Sequence, residues 1–429
     1  MQEYPASASI RRAALANGAV LLAYENPASP SVVVVGSLAA GSQFERDEPA
    51  GLAHITAQGL MSAAADHDFD ALHGCLEGIG ADLQFSAGSH TVSFFGKALA
   101  EDLPILADAL AAVLREPRFP EQEIANLRDE VLTSLHFYAQ DTSWRAEEAF
   151  NRLLYPAQHP YHREVIGTLA SVAQINPAHL RRFHERVYGP AELVIAVVGA
   201  VETERAIHTL RSCLDDWQPL VQERDIVPPV PVPPLASLRK ERIAIPGKTQ
   251  TDLVLGVAGP SRFADDYLPA SLANSVLGQF GMMGRIGESV RERHGFSYYA
   301  YSRMDGGYDR GAWCVLAGVE PQWEEASLDL IRHEIDSLRS RGITAEDLAD
   351  NQAYFKGRLP LQLETNDGIA ATLLTMECFG LGLDYLLEYG GHIDRIRRDD
   401  VVAAMEKYWP EDEFALALAG PEPPNHENQ

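Results

Sequence analysis

Residues 51–61 read GLAHITAQGLM. A glycine followed by a mostly apolar run predicts a short helix, with His54 and Gln58 at i and i+4. That spacing puts the imidazole and the amide on one helical face. Toward the N-terminus, Ala19 to Tyr24 (AVLLAY) and Val32 to Leu38 (VVVVGSL) read as two strands, β-branched and bounded by Asn-Pro and Gly-Ser turns. Toward the C-terminus, Asp68 to Ile79 carries Phe69, Leu72, Leu76 and Ile79 on one helical stripe. Ala81 to Lys97 follows as a hairpin. Leu103 to Leu114 is a helix ended by Pro117, and Pro120 opens another bearing Ile124, Leu127, Val131 and Leu135. Helices are expected at Trp144 to Leu154 and Pro177 to Val187, and a buried-type strand at Leu193 to Val198.

Six prolines then fall between Pro219 and Pro234, in a segment that packs as neither helix nor central strand and reads as an extended spacer, 219–238. Beyond it the pattern returns. Thr251 to Val257 and Trp313 to Leu316 supply strands, and Glu325 to Leu338 matches the Leu103 helix. ITAEDLADNQAYFKGRL, Ile343 to Leu359, falls on Phe119 to Leu135 at an offset of 224 residues. Phe414 to Ala419 falls near Leu193 to Val198 at an offset of about 221. Near-constant offsets over several elements mean a duplicated domain. Its strands and helices do not alternate regularly, so the expected class is α+β: two tandem, homologous α/β sandwich domains, 1–218 and 239–420, with a polar tail at 421–429.

At 429 residues the chain exceeds one core. Its 46% apolar and 22% charged content is ordinary for a globular protein. A net charge of −26 argues against non-specific nucleic-acid binding, which needs cations for phosphates. Cys75, Cys213, Cys314 and Cys378 are scattered and form no CxxC pair, so neither a disulfide framework nor a zinc ribbon is expected. No apolar run resembles a signal peptide or a membrane span, which makes the cytoplasm the default compartment and a membrane role unexpected.

A hydrolytic zinc needs three protein ligands, an open position for water, and a base for the water's proton. The 51–61 helix offers His54 alone. Ala57 has no proton acceptor, and the amide oxygen of Gln58 is a poor zinc ligand. By itself His54 reads most simply as a helix histidine with a structural hydrogen bond.

GLAHITAQGLM nevertheless resembles the start of the pitrilysin/insulinase-type metallopeptidases, whose inverted HxxEH motif sits in a GLAHxxEH context. FPEQEIANLRDEVLTSL is similar to the family's distal-ligand helix, and the segments LLYPAQHPYHREVIGTLASV, RERHGFSYYAYS, FKGRLPLQLETN and GLGLDYLLEY also look like family segments. The length and two related halves are similar to the short members that assemble as dimers in the manner of mitochondrial processing peptidase. The resemblance places His54 on the first histidine ligand, Ala57 on the catalytic glutamate, Gln58 on the second histidine, and Ser134 on the third ligand. Leu127 falls on a supporting acidic position, and Glu130 is one turn out of place. Three of four essential positions have lost their chemistry, so no residue is expected to be catalytic alone and no metal is expected here.

In the second half, RERHGFSY carries Arg291 and Tyr298 seven residues apart. The resemblance implies that such a pair holds substrate and stabilises the oxyanion of the tetrahedral intermediate, a role that suits a cation and a phenol. This is the pattern of the family's non-catalytic subunit, whose sister chain supplies zinc. Gly278, Gly281, Gly284 and Gly287 recur every third residue, as a mobile loop or as a tight turn allowing close approach. Met282 and Met283 read as packing residues. His67, His73, His159 and His162 read as surface residues. His90 lies in the hairpin segment that the family uses near bound peptide, and Phe85, Ser86, Ala87, Gly88 and Ser89 form a candidate peptide-binding strand.

The expected function is therefore an inactive peptidase-like subunit that binds peptide or unfolded polypeptide and pairs with an HxxEH-bearing sister. The alternative is a homodimeric peptide-binding or scaffold protein with no part in proteolysis. A third reading, an active enzyme with ligands recruited from elsewhere, needs stoichiometric zinc.

Overall fold

The computed structural model describes residues 4–45, 48–218, 227 and 229–422. The chain divides into two compact units. One comprises 1–135, 164–228 and 359–389, and the other 136–163, 229–358 and 390–429.

The first unit is built on a six-stranded sheet: β1 (Ile10–Ala14), β2 (Val20–Glu25), β3 (Ser31–Leu38), β4 (Asp82–Ala87), β5 (Val92–Leu99) and β6 (Val194–Gly199), in the order β1-β2-β6-β3-β5-β4. The second holds five strands, β7 (Arg239–Ala244), β8 (Thr251–Ala258), β9 (Ser297–Met304), β10 (Ala312–Val319) and β11 (Ala415–Gly420), ordered β7-β11-β8-β10-β9. Setting β1 aside, the two orders are the same. Each sheet has one parallel pair, β2 with β6 and β7 with β11, and is otherwise antiparallel. The duplication read from the offsets is thus present strand by strand.

Central strands buried on both faces read as continuous apolar runs rather than as alternation. All eight residues of β8 and of β10, and all six of β11, are buried. Such a sheet needs a helix on each side. The helix Thr142–Leu154, opened by Asp141 accepting from the Trp144 N–H at 2.7 Å, packs on β7, β8 and β11 within the second unit. Its counterpart 224 residues on, Asn366–Cys378, is capped by Thr365 and packs on β3 and β6 within the first unit. Each unit therefore holds one helix from the opposite half of the sequence. Ile369, Leu373 and Met376 join Val33, Val35, Ala196 and Val198 in the first core. Burying each of these larger side chains is worth about 1.5–3 kcal/mol.

The helices expected at 68–79, 103–114 and 177–187 appear as Phe69–Gly78, Leu103–Arg115 and Pro177–Val187. Much of the proline-rich spacer, residues 219–226 and 228, lies outside the described residues, as do 423–429 of the tail. Of the rest of the spacer, Val232 and Leu235 are buried in the second core, and the Arg310 guanidinium reaches the Val232 carbonyl at 3.5 Å. Among the described residues no helix is long and apolar enough to cross a membrane.

Candidate functional site

Gly51 begins the His54 helix (Leu52–Gly59) at φ +97°, a left-handed conformation that glycine adopts without strain. A Cβ there would sit 2.7 Å from the Ile166 carbonyl. The fully buried Glu45 carboxylate accepts from the Gly51 N–H at 3.1 Å and the Ala53 N–H at 2.9 Å. A carboxylate there satisfies helix donors that have no intrahelical partner and complements the positive end of the helix dipole. Nothing in the spacing around GLAH pointed to Glu45.

His54 is half-buried, and burial lowers its pKa, which keeps the imidazole neutral. Among the described residues it has no hydrogen-bond partner, so the structural hydrogen bond expected for it is not found there. Ala57 is fully buried and Gln58 is exposed. On the helix Glu121–Tyr138, Leu127 and Ser134 are half-buried and Glu130 is exposed. A zinc ion fits this donor set poorly. One imidazole stands with a methyl group, an amide and a hydroxyl at the positions that should supply a base and two more ligands. Among the described residues, no three His, Cys, Asp or Glu side chains are grouped so as to hold a metal.

The arginine–tyrosine pair meets in space. The Arg291 guanidinium carbon lies 5.5 Å from the centroid of the Tyr298 ring, within reach of a cation–π attraction. Arg291 sits in a π-helical turn, Gly287–Arg293, and contacts Glu292 at 3.3 Å. Tyr298 lies on β9, where the register with β10 slips: Gly318 faces Tyr299, but Val319 faces Ser297. Tyr298 is the extra residue of a β-bulge, a device that re-aims a side chain. It is 82% exposed.

Its neighbour Tyr299 turns the other way and donates to the buried Asp252 carboxylate. Asp252 also accepts from the Gln250 amide at 3.0 Å and from the Thr142 hydroxyl. Burial, and then this hydrogen bond to the carboxylate, raises the Tyr299 pKa. A side chain on Gly318 would crowd this network, its Cβ falling 2.6 Å from the Tyr299 ring and 3.0 Å from Asp252. The anchor that fixes β9 beside the bulge was missed from the sequence. Its one signal was an aspartate in an otherwise apolar strand, TDLVLGV.

At the glycine-rich stretch the geometry is that of a tight turn. Gly281, Met283 and Gly284 all have positive φ, and a Cβ on Gly284 would lie 2.6 Å from the Gly278 nitrogen. Met282 is 58% exposed, which corrects its reading as a packing residue.

β4 forms one edge of the first sheet. The Gly88 N–H donates to the Thr91 carbonyl at 2.7 Å, so the hydrogen-bonded pairs with β5 fall at Gly88, Ser86, Gln84 and Asp82. Leu83, Phe85 and Ala87 therefore turn their backbone groups outward. Among the described residues no backbone hydrogen bond from another element reaches them. Gly88 and Ser89 lie past the end of β4, and their carbonyls accept from the Ser42 and Gln43 N–H groups at 3.0 and 2.9 Å. His90 Nδ1 lies 3.0 Å from Gln43 Oε1.

The reading of His159 as a surface residue is corrected. It is 1% exposed, stacked on Tyr155 with ring centroids 4.8 Å apart, and accepts from the Tyr161 N–H at 3.1 Å. His162, half-buried, is bonded to the Tyr155 carbonyl at 2.8 Å, and His73 to that of Met61 at 3.1 Å. His67 is exposed.

Comparison with known proteins agrees with this architecture. The family described as Insulinase (Peptidase family M16) matches residues 20–168, and that described as Peptidase M16 inactive domain matches residues 174–354. An uncharacterized zinc protease of Mycobacterium leprae is 26% identical over 425 residues, which is 97% of this chain and 92% of the relative. A peptidase M16 inactive domain from Pseudomonas fluorescens superposes with a TM-score of 0.88 at 25% identity, covering 96% of this chain and 98% of that one. A protease from Helicobacter pylori shares the fold at TM-score 0.89 and 17% identity, covering 96% and 99%.

Proposed function

The chain belongs to the insulinase-type peptidases, family M16, and from that premise we propose that it is a proteolytically inactive subunit. It binds peptide or unfolded polypeptide and works beside a zinc-bearing sister chain. One contrast carries the reading. The His54 helix retains a single neutral imidazole with neither carboxylate nor second histidine, while Arg291 and Tyr298 are kept within cation–π distance.

The chemistry left to this chain is binding and charge stabilisation. A neutral imidazole with no base beside it cannot activate water. The Arg291 cation and the Tyr298 hydroxyl are donors that can hold a substrate carbonyl and favour negative charge developing on its oxygen. The outward backbone of Leu83, Phe85 and Ala87 can add a substrate strand with little dependence on its sequence.

Reconstitution tests this. The purified chain alone should cleave nothing. Mixing with an HxxEH-bearing partner should produce zinc-dependent cleavage, and Arg291→Ala or Tyr298→Phe should lower it by about 10²-fold. Chelator-sensitive cleavage by the isolated chain would overturn the reading.

The open edge of β4 also supports the second reading, a homodimeric peptide-binding protein outside proteolysis, because strand addition needs no zinc. Light scattering and the gene neighbourhood separate the two. A stable homodimer from a solitary gene favours the scaffold, and an adjacent HxxEH gene with a heterodimer favours the subunit.

A further inference from the structure

Beside Tyr298 the second unit has a cavity of about 620 Å³, lined on its polar side by Thr249, Gln250, Ser297, Glu320 and Gln322. Its hydrogen-bonding inventory is lopsided. The Gln322 amide donates to one oxygen of Glu320 at 2.8 Å, and the Gln250 amide donates to Asp252. Both glutamines thus spend N–H groups on carboxylates, and their carbonyl oxygens remain as acceptors. The other Glu320 oxygen has no partner among the described residues. The Ser297 hydroxyl is buried and likewise unpartnered. No lysine or arginine lines the cavity, and Glu320 is the one ionised group in its wall. The exposed Tyr298 ring adds a π face.

A wall rich in acceptors, with one negative charge and an aromatic face, suits a group that is all donor and positively charged. We propose that this cavity is a subsite for a cationic side chain, lysine or arginine, of the polypeptide held at the Arg291–Tyr298 pair, with Glu320 as its counter-ion. The proposal rests on the peptide-binding reading above and adds the chemistry of the ligand to it. Arginine offers five donors in a planar fork and lysine three about a point charge, so the two sources can be told apart.

The test uses the full chain and fluorescein-labelled twelve-residue peptides of alanine, serine and valine. Each carries one central arginine, lysine, citrulline or norleucine, and binding is read by fluorescence anisotropy. The cationic peptides should bind about five-fold tighter than their neutral isosteres, and the gap should narrow with added salt. In Glu320→Gln the gap should close to under about two-fold, with the neutral peptides binding as before. Glu320 is exposed, so this variant should fold normally, which a matching thermal melt checks. Arginine gaining more than lysine assigns the subsite to a guanidinium, and the reverse assigns it to an ammonium. Equal binding of cationic and neutral peptides, or a preference that survives Glu320→Gln, overturns the subsite and leaves peptide binding standing. Failure of every peptide to bind overturns both.

Discussion

Replacing Asp252 with alanine removes the acceptor on which three donors converge: the Tyr299 hydroxyl, the Thr142 hydroxyl and the Gln250 amide. Gln250 is exposed and can turn to water, so its loss counts little. Tyr299 and Thr142 are half-buried, and each hydrogen bond to a charged group contributes about 1.5–3 kcal/mol. Part of that is offset because the carboxylate, 3% exposed, no longer has to be desolvated. The net loss expected is about 3 kcal/mol. For a unit of roughly 200 residues, that lowers the midpoint of its thermal transition by about 6–12 °C. Calorimetry is the assay, because the transitions of the two units can be resolved, and the first unit's should not move. A double-mutant cycle with Thr142→Val should give a coupling of about 1–2 kcal/mol, since the pair joins the exchanged helix to β8. A shift under 2 °C, or strict additivity with Thr142→Val, would refute the claim that this carboxylate holds the start of β9.

Other outcomes follow from the same structure. Burial lowers His184 to about 4, so its imidazole stays neutral in the fold while the unfolded chain takes up a proton near pH 6.5. Unfolding then becomes easier as pH falls from about 6.5 to 4, by up to about 3 kcal/mol, and urea titrations of His184→Gln should show a flatter slope. Burial pushes Tyr161 up to about 12, so the stability linked to it is complete below pH 10 and lost between pH 10 and 12. Tyr161→Phe should lose less stability over that range. The Arg310 guanidinium donates to the Ala258, Gly259 and Val232 carbonyls at 2.6, 3.2 and 3.5 Å, so Arg310→Ala should expose the 229–235 segment to proteolysis before the unit melts.

The elements legible in the sequence were those whose signals are local. Pro177 with Asn176 before it marks a helix start, and that helix begins at Pro177 with the Asn176 side chain as its cap. The 81–97 hairpin shows through its alternation, Leu83 and Phe85 inward and Gln84 and Ser86 outward. The helix Asn366–Cys378 and the sheet it joins are more than 160 residues apart in sequence, and no local pattern records such a pairing. β9, GFSYYAYS, has aromatics at consecutive positions, which hides both its inward face and the bulge at Tyr298. His159 reads as polar because its neighbours are Pro160, Tyr161 and His162, yet stacking on Tyr155 buries it. In the candidate site, residue types were readable at His54, Ala57, Gln58, Arg291 and Tyr298. The supports were not, because Glu45 and Asp252 act through backbone and tertiary contacts rather than through a motif.

The central claim is that the His54 helix can no longer assemble a hydrolytic zinc centre. The most direct measurement combines metal content with activity: the purified chain is dialysed against zinc, analysed for bound metal, and assayed on a fluorogenic peptide with and without a chelator. The expected result is zinc far below one per chain, with no cleavage that the chelator abolishes. One zinc per chain, together with cleavage that the chelator stops, would contradict it.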